Sequence, residues 1–212
     1  MSSKKEPDLQ APQKGFSRRG FLHGVGITSG ALGAGLLEQE ASAAPPVNVT
    51  GLGEGPVTLT INGKATKVNV EPRTTLLDAM RERLEITGAK RVCDRGTCGA
   101  CTVIIGGKVM YSCTVLAIDA QGKDIQTIEG LSNGNKMHPI IPAFANNDGL
   151  QCGYCTPGFV MASKGFLDRN PNPTYEQVKA GLGGNLCRCG TYVGIRKAVL
   201  EAAKELKGGK NA

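Results

Sequence analysis

Tryptophan is absent from this 212-residue chain, and four tyrosines and five phenylalanines are its only aromatic residues. So few rings exclude a stacking platform for nucleic-acid bases. Histidine is nearly absent too: only His23 and His138 occur, with no HExxH, GxSxG or P-loop pattern. That removes the common zinc hydrolase, serine hydrolase and nucleotide-hydrolysing motifs. His138 is expected to pack or face water rather than do acid–base work. The longest apolar stretch, Val25 to Leu37, is diluted by glycine and too short to span a bilayer comfortably. The formal charge is +7, yet no run of five or six basic residues occurs. A nucleic-acid partner is therefore not expected.

What the chain does have is cysteine. Eight cysteines fall into two quartets. The first lies in Cys93-Asp94-Arg95-Gly96-Thr97-Cys98-Gly99-Ala100-Cys101, with Cys113 twelve positions further on. The second comprises Cys152 and Cys155 in Gln151-Cys152-Gly153-Tyr154-Cys155-Thr156-Pro157-Gly158, then Cys187 and Cys189 in Asn185-Leu186-Cys187-Arg188-Cys189-Gly190. The first spacing, C-x4-C-x2-C with a later cysteine, is that of plant-type [2Fe-2S] ferredoxins. Three thiolates from one loop must converge on an anionic inorganic core. Such a loop needs sharp reversals and backbone N–H groups aimed at sulfur, and Gly96 and Gly99 suit both needs. Two disulfides or a four-cysteine zinc site are the competing readings.

The second quartet alone leaves zinc open. Two features favour a cluster. A disulfide within C-x-C is strained, and one within C-x2-C is usually catalytic or labile. Cys155 and Cys189 also each precede an expected helix N-terminus, whose dipole and open N–H groups favour a negatively charged site. Four thiolates on an oxidised [2Fe-2S] core leave about −2 at each site, so two such sites would cancel much of the positive charge.

Residues 1–43 read as an export signal. Ser17-Arg18-Arg19-Gly20-Phe21-Leu22 holds a twin-arginine pair, and Ala41-Ser42-Ala43 supplies small residues for cleavage. A disordered tail or an uncleaved anchor are the alternatives. A twin-arginine route would reconcile free thiolates with export, since the chain would fold and load its cofactors before leaving the cytoplasm. Residues 44–56 are a linker rich in glycine and proline, and Gly51-Leu52-Gly53-Glu54-Gly55 within it lacks the strand and helix of a nucleotide loop.

The remainder predicts an α+β chain. Strands are expected at Val57–Ile61 and Val68–Val70 around an Asn62-Gly63 turn. A helix capped by Thr74 or Thr75 is expected to run to about Leu84, with Arg81, Glu82 and Arg83 facing out. Further strands are expected at Thr102–Ile105, Val109–Tyr111 and Ile125–Ile128, which together make a small mixed sheet with a helix across one face. Gly130 to Asn135 reads as the loop between domains 57–131 and 132–207, with 208–212 as a tail. Four helices are then expected. One spans His138 to Asn146, one opens with Thr156 as cap and Pro157 in its first turn, one has a Thr174/Gln177 capping box, and the last is capped by Thr191 and runs to Leu206.

These three cysteine signatures resemble those of the iron–sulfur subunit of the xanthine oxidase family of molybdenum hydroxylases, over about residues 57–206. With the export signal, the chain is most similar to small subunits of periplasmic aldehyde oxidoreductases. The resemblance implies an N-terminal β-grasp, ferredoxin-like domain and a C-terminal four-helix bundle, each with one [2Fe-2S] cluster. It implies a large partner subunit carrying the molybdopterin, beside the helical domain's cluster and touched by Gln151. It also implies a medium FAD subunit near the ferredoxin cluster. The function implied is relay of electrons from aldehyde or N-heterocycle oxidation to FAD or another acceptor, with no catalytic centre on this chain. A free-standing exported two-cluster carrier or redox sensor is the alternative.

Overall fold

In the computed structural model, described over residues 51, 53–134 and 136–208, two hairpins set the frame. Strands β1 (Gly55–Ile61) and β2 (Lys64–Val70) pair antiparallel across Asn62-Gly63. Both turn residues have positive φ, 51° and 79°. A two-residue turn of that kind matches the twist of its strands, which is why Asn-Gly is its common sequence. Strands β3 (Thr102–Ile105) and β4 (Lys108–Tyr111) pair the same way across Gly106-Gly107, again both at positive φ. Strand β5 (Asp124–Gln126) joins the hairpins, parallel to β1 and antiparallel to β3. The sheet order is β2-β1-β5-β3-β4.

Three sequence expectations shift here. The strand expected at Ile125–Ile128 ends at Gln126, and Ile128–Leu131 closes into a 3-10 turn. The loop expected at residues 130–135 includes half of a two-stranded ribbon, β6 (Ser132–Asn133) with β7 (Lys136–Met137). The helix expected to run from Thr75 to Leu84 is α-helical only over α1 (Leu76–Asp78), capped by the Thr75 hydroxyl. It then widens into a π turn, Ala79–Arg83. Arg81, expected to face out, is half-buried, and its guanidinium donates to the carbonyls of Thr87 (2.8 Å) and Ala89 (2.9 Å). Single π turns of this kind often mark functional sites; here it braces the approach to Cys93.

Four helices follow: α2 (Ile140–Asn146), α3 (Thr156–Arg169), α4 (Tyr175–Gly181) and α5 (Tyr192–Gly208). The first starts two residues later than expected, after Pro139. The capping box of α4 is complete, with Thr174 and Gln177 each bonding the other's backbone N–H. Thr156 is not the cap of α3, because Cys155 holds that position without a side-chain bond. Among the described residues no helix is long and apolar enough to cross a membrane.

Apolar side chains form two cores. One lies between the sheet and α1, around Leu59, Leu76, Leu77, Met80, Val103 and Ile125. The other lies among the four helices, around Phe144, Phe159, Met161, Val178, Ile195 and Val199. Strand β3 belongs to both. Its four residues are all buried, with Val103 and Ile105 in the first core and Ile104 in the second. A run of apolar residues without alternation is what a strand covered on both faces requires. The covering element is α3, and Gly165 is why it can come so close. A Cβ there would strike Val109, with Ile104 behind it.

Candidate metal centres

The first quartet sits on a loop held from below. Besides Arg81, the backbone N–H of Gly88 donates to Glu129 (2.8 Å), and that of Lys90 to the Ala100 carbonyl (3.1 Å). Arg91 pairs with Asp78 and, at 3.2 Å, with Glu82. These exposed ion pairs hold position more than they stabilise. Between Cys93 and Cys101 the chain reverses three times through positive φ, at Asp94 (56°), Gly96 (74°) and Gly99 (71°). Reversal turns backbone donors onto sulfur. Gly96 N–H points to Cys113 Sγ at 3.3 Å and Thr97 N–H to Cys93 Sγ at 3.4 Å. Gly99 is also a packing requirement, since a Cβ there would lie 2.6 Å from the Asn185 amide. Cys113 arrives on the 3-10 turn after β4, so the fourth thiol comes from a separate segment.

The second quartet is assembled by helix ends. Gly153 takes positive φ (77°) between Cys152 and Cys155, and Cys155 caps α3. Cys187 and Cys189 lie on the turn before α5, where Gly190 is again at positive φ (79°). This turn is pinned to its surroundings. Cys187 N–H donates to the Tyr192 hydroxyl (2.9 Å). Thr191 holds the cap position of α5, its carbonyl accepting from Ile195 N–H (3.0 Å), and places its hydroxyl 3.3 Å from Cys187 Sγ and 3.3 Å from the Gly149 carbonyl. Gly194 packs so closely that a Cβ would strike the carbonyls of Asn147 and Asp148. The residues leading into Cys152 are thereby tied to those following Cys189.

None of the eight cysteines is bridged to another. Within each quartet the thiols perturb one another: Cys93 feels Cys98, Cys113 feels Cys101 and Cys93, Cys152 feels Cys189 and Cys187, and Cys155 feels Cys187 and Cys152. No three of the described His, Cys, Asp or Glu side chains close on one point as the ligands of a single ion would. All four donors at each site are sulfur, and backbone N–H groups already point at two sulfurs of the first, which suits an anionic iron–sulfur core. The local fields are uneven. The Thr97 hydroxyl and amide hold the Cys93 thiol down at about 6. Burial pushes Cys113 and Cys155 up to about 12. At Cys187 burial acts upward but is outweighed by Thr191, leaving it at about 7. An iron core binds thiolates, so it would have to displace the protons of Cys113 and Cys155.

The two sites adjoin. A cleft of 440 Å³ runs between them, lined by Cys93, Cys98, Cys152, Cys155 and Cys187. Val92, Tyr154 and Leu186 stand exposed at its rim. Gly158 lets α3 touch the first loop, for a Cβ there would strike the Gly99 carbonyl. Gln151 is exposed next to exposed Cys152. His138 is half-buried; its Nδ1 accepts from Ile140 N–H at the start of α2. Burial lowers its pKa, with Lys164 acting the same way. A larger hollow of 670 Å³, which includes Glu129, His138 and Lys164, contains no cysteine. Sequence reasoning gave no role to Arg81, Tyr111 or Asn185. Only Asn185 had a signal: a polar residue wedged between Gly183-Gly184 and the Cys187 motif.

Comparison with known proteins finds one family model over each cysteine quartet. A [2Fe-2S] iron–sulfur cluster binding domain family matches residues 59–127, and a second [2Fe-2S] binding domain family matches 127–200. The aldehyde oxidoreductase iron–sulfur-binding subunit PaoA of Escherichia coli K12 is 41% identical over 167 residues, covering 72% of this chain and 73% of that protein. The nicotine 6-hydroxylase small subunit of Paenarthrobacter nicotinovorans is 44% identical over 151 residues, covering 71% and 90%. Among solved structures, quinoline 2-oxidoreductase from Pseudomonas putida 86 is similar with a TM-score of 0.66 at 41% identity, covering 72% of this chain and 97% of that one. Aldehyde oxidoreductase from Desulfovibrio gigas is similar with a TM-score of 0.69 at 37% identity, covering 73% of this chain and 17% of that one. With both cysteine quartets inside matched domains and two iron–sulfur or small subunits alike over 73% and 90% of their length, the chain belongs to the iron–sulfur subunits of the xanthine oxidase family of molybdenum hydroxylases.

Proposed function

We propose that this chain relays electrons, one at a time, between a molybdenum-containing partner that oxidises an aldehyde or N-heterocycle and a downstream acceptor, FAD in the first instance. Cys93, Cys98, Cys101 and Cys113 hold one [2Fe-2S] cluster, and Cys152, Cys155, Cys187 and Cys189 the other. Each cluster supplies reversible one-electron chemistry. The protein's share is to hold thiolates, aim N–H groups at sulfur and set exposure, which tune potential. The observation that carries this reading is two quartets of unbridged cysteines at adjoining sites, with backbone N–H groups aimed at sulfur in the first.

The sheet half is a β-grasp, ferredoxin-like unit and the helical half a four-helix bundle. Gln151 touches the molybdopterin of the large subunit. Exposed Cys152, Cys189 and Gln151 on one face favour a subunit covered by a partner over a free-standing carrier. Residues 1–43, outside the described residues, direct twin-arginine export to the periplasm. Residues 44–54 link them to the folded part, since Gly55 and Pro56 of the expected linker already belong to β1, and no stable membrane insertion or nucleic acid is involved.

Purification from the native host under anaerobic conditions tests this. About four irons per chain are expected, with two distinct EPR signals on reduction and a molybdenum subunit co-eluting. An iron-free chain, with zinc or disulfides at the cysteines, overturns the reading. A lone iron-loaded monomer overturns the partner.

A further inference from the structure

Three consecutive residues on the approach to Cys187 each bond across to the first site. The Tyr111 hydroxyl donates to the Gly184 carbonyl (2.8 Å). Asn185 Nδ2 donates to the Gly99 carbonyl (2.9 Å) and to the Thr102 hydroxyl (3.2 Å). Leu186 N–H donates to the Cys98 carbonyl (2.9 Å). Cys98 belongs to one quartet, and Cys187, bonded directly to Leu186, to the other. The backbones of two ligand residues are thus joined by one hydrogen bond and one intervening residue. An electron moving between two centres loses less amplitude along bonded atoms than across an open gap.

Asn185 is the side chain inside this staple. It is 5% exposed and fills the space that a Cβ on Gly99 would occupy. Only a donor fits there. The Gly99 carbonyl can only accept, and the Thr102 hydroxyl already donates its proton to that carbonyl (2.6 Å). A carboxylate of the same shape would face two acceptors.

We propose that Asn185 is a positioning residue for electron passage between the two sites, because it keeps the Cys98 carbonyl seated on the Leu186 amide. The proposal rests on the reading that each quartet holds a [2Fe-2S] cluster. It assigns Asn185 no contact with either cluster and no part in substrate chemistry.

The test uses the complex as purified, with Asn185→Asp. Hydrogen exchange followed by mass spectrometry reads the segment containing residues 183–189. Freeze-quench EPR after mixing with substrate reads the order in which the two signals appear. Losing a buried hydrogen bond should open the segment about tenfold more often and speed its exchange accordingly. The first EPR signal should appear at the wild-type rate and the second should lag. Wild-type values for either readout overturn the proposal. Should Asn185→Asp lose iron, Tyr111→Phe decides, since it removes only the neighbouring bond to Gly184. A smaller lag of the same kind is expected there, and wild-type timing overturns the proposal. A wild-type complex lacking two EPR signals would instead sink the cluster reading itself, a distinct outcome.

Discussion

The two cysteine sites solve one problem in different ways. The first draws three of its four thiols from a single nine-residue loop, folded by its own positive-φ residues and backed by the sheet. The second draws on two segments brought together by α5 packing against α2 and the α2–α3 loop. Burial follows the same divide. Cys101 and Cys113 are buried in the first site, whereas Cys152 and Cys189 lie open in the second. A loop can carry its site as a unit, but a site made of helix ends exists only while the tertiary packing does.

Removing one ligand from each site sharpens that comparison most. Cys152→Ser should lower iron from about four to about two per chain, abolish one EPR signal and stop substrate-driven electron export, with the sheet half still folded. Retained turnover with an external acceptor would count against a route through the second site. Cys101→Ser should take the other signal, and it should also lower thermal stability, because Cys101 sits in the first apolar core.

A smaller effect is expected where the halves touch. Gly158→Ala should cost about 1–3 kcal/mol, because the added methyl meets rigid backbone at Gly99 and Ala100 and α3 must back away. Gly165→Ala meets the Val109 side chain, which can turn aside, and should cost less. Thermal unfolding of the two variants orders them; equal costs would mean that α3 is not seated on the first loop.

The smallest effect concerns pH. His138 has its folded pKa depressed below the ordinary 6.5, by burial first and by Lys164 second, while Asp168 and Glu205 pull the other way. The folded state therefore takes up its proton less readily than the unfolded one. Stability is fully present above about pH 6.5 and falls as pH drops through the folded value. His138→Asn keeps an acceptor near Ile140 N–H and should flatten that part of the melting-temperature profile. An unchanged difference in melting temperature between pH 5.5 and pH 7.5 would assign the dependence to other groups.

Much of this organisation was legible in the residues. Asn62-Gly63 and Gly106-Gly107 marked both hairpins because few other pairs tolerate two positive-φ positions. Thr174 and Gln177 marked α4 because a capping box is local chemistry. The cysteines announced their sites through spacing alone. What escaped were consequences of packing. The π turn at Ala79–Arg83 serves carbonyls several residues downstream, and no periodicity encodes that. Thr191 was legible as the cap of α5, but not the meeting of its hydroxyl with Cys187 and Gly149, groups placed there by α5 settling on the α2–α3 loop. Asn185 finds its partners 86 and 83 positions away, beyond any local pattern.

Strand β3 carries a last consequence. Ile104 is the only one of its four residues that belongs to the helical core. A reading frame cut short at Leu131 would still encode every residue of the five-stranded sheet, but leave Ile104 and Val109 bare to water. Such a fragment would stick to itself or be degraded, as greasy unpaired surfaces generally are. The halves are two modules in sequence and one inheritance in practice: a gene that splits them must also invent a cover for one isoleucine.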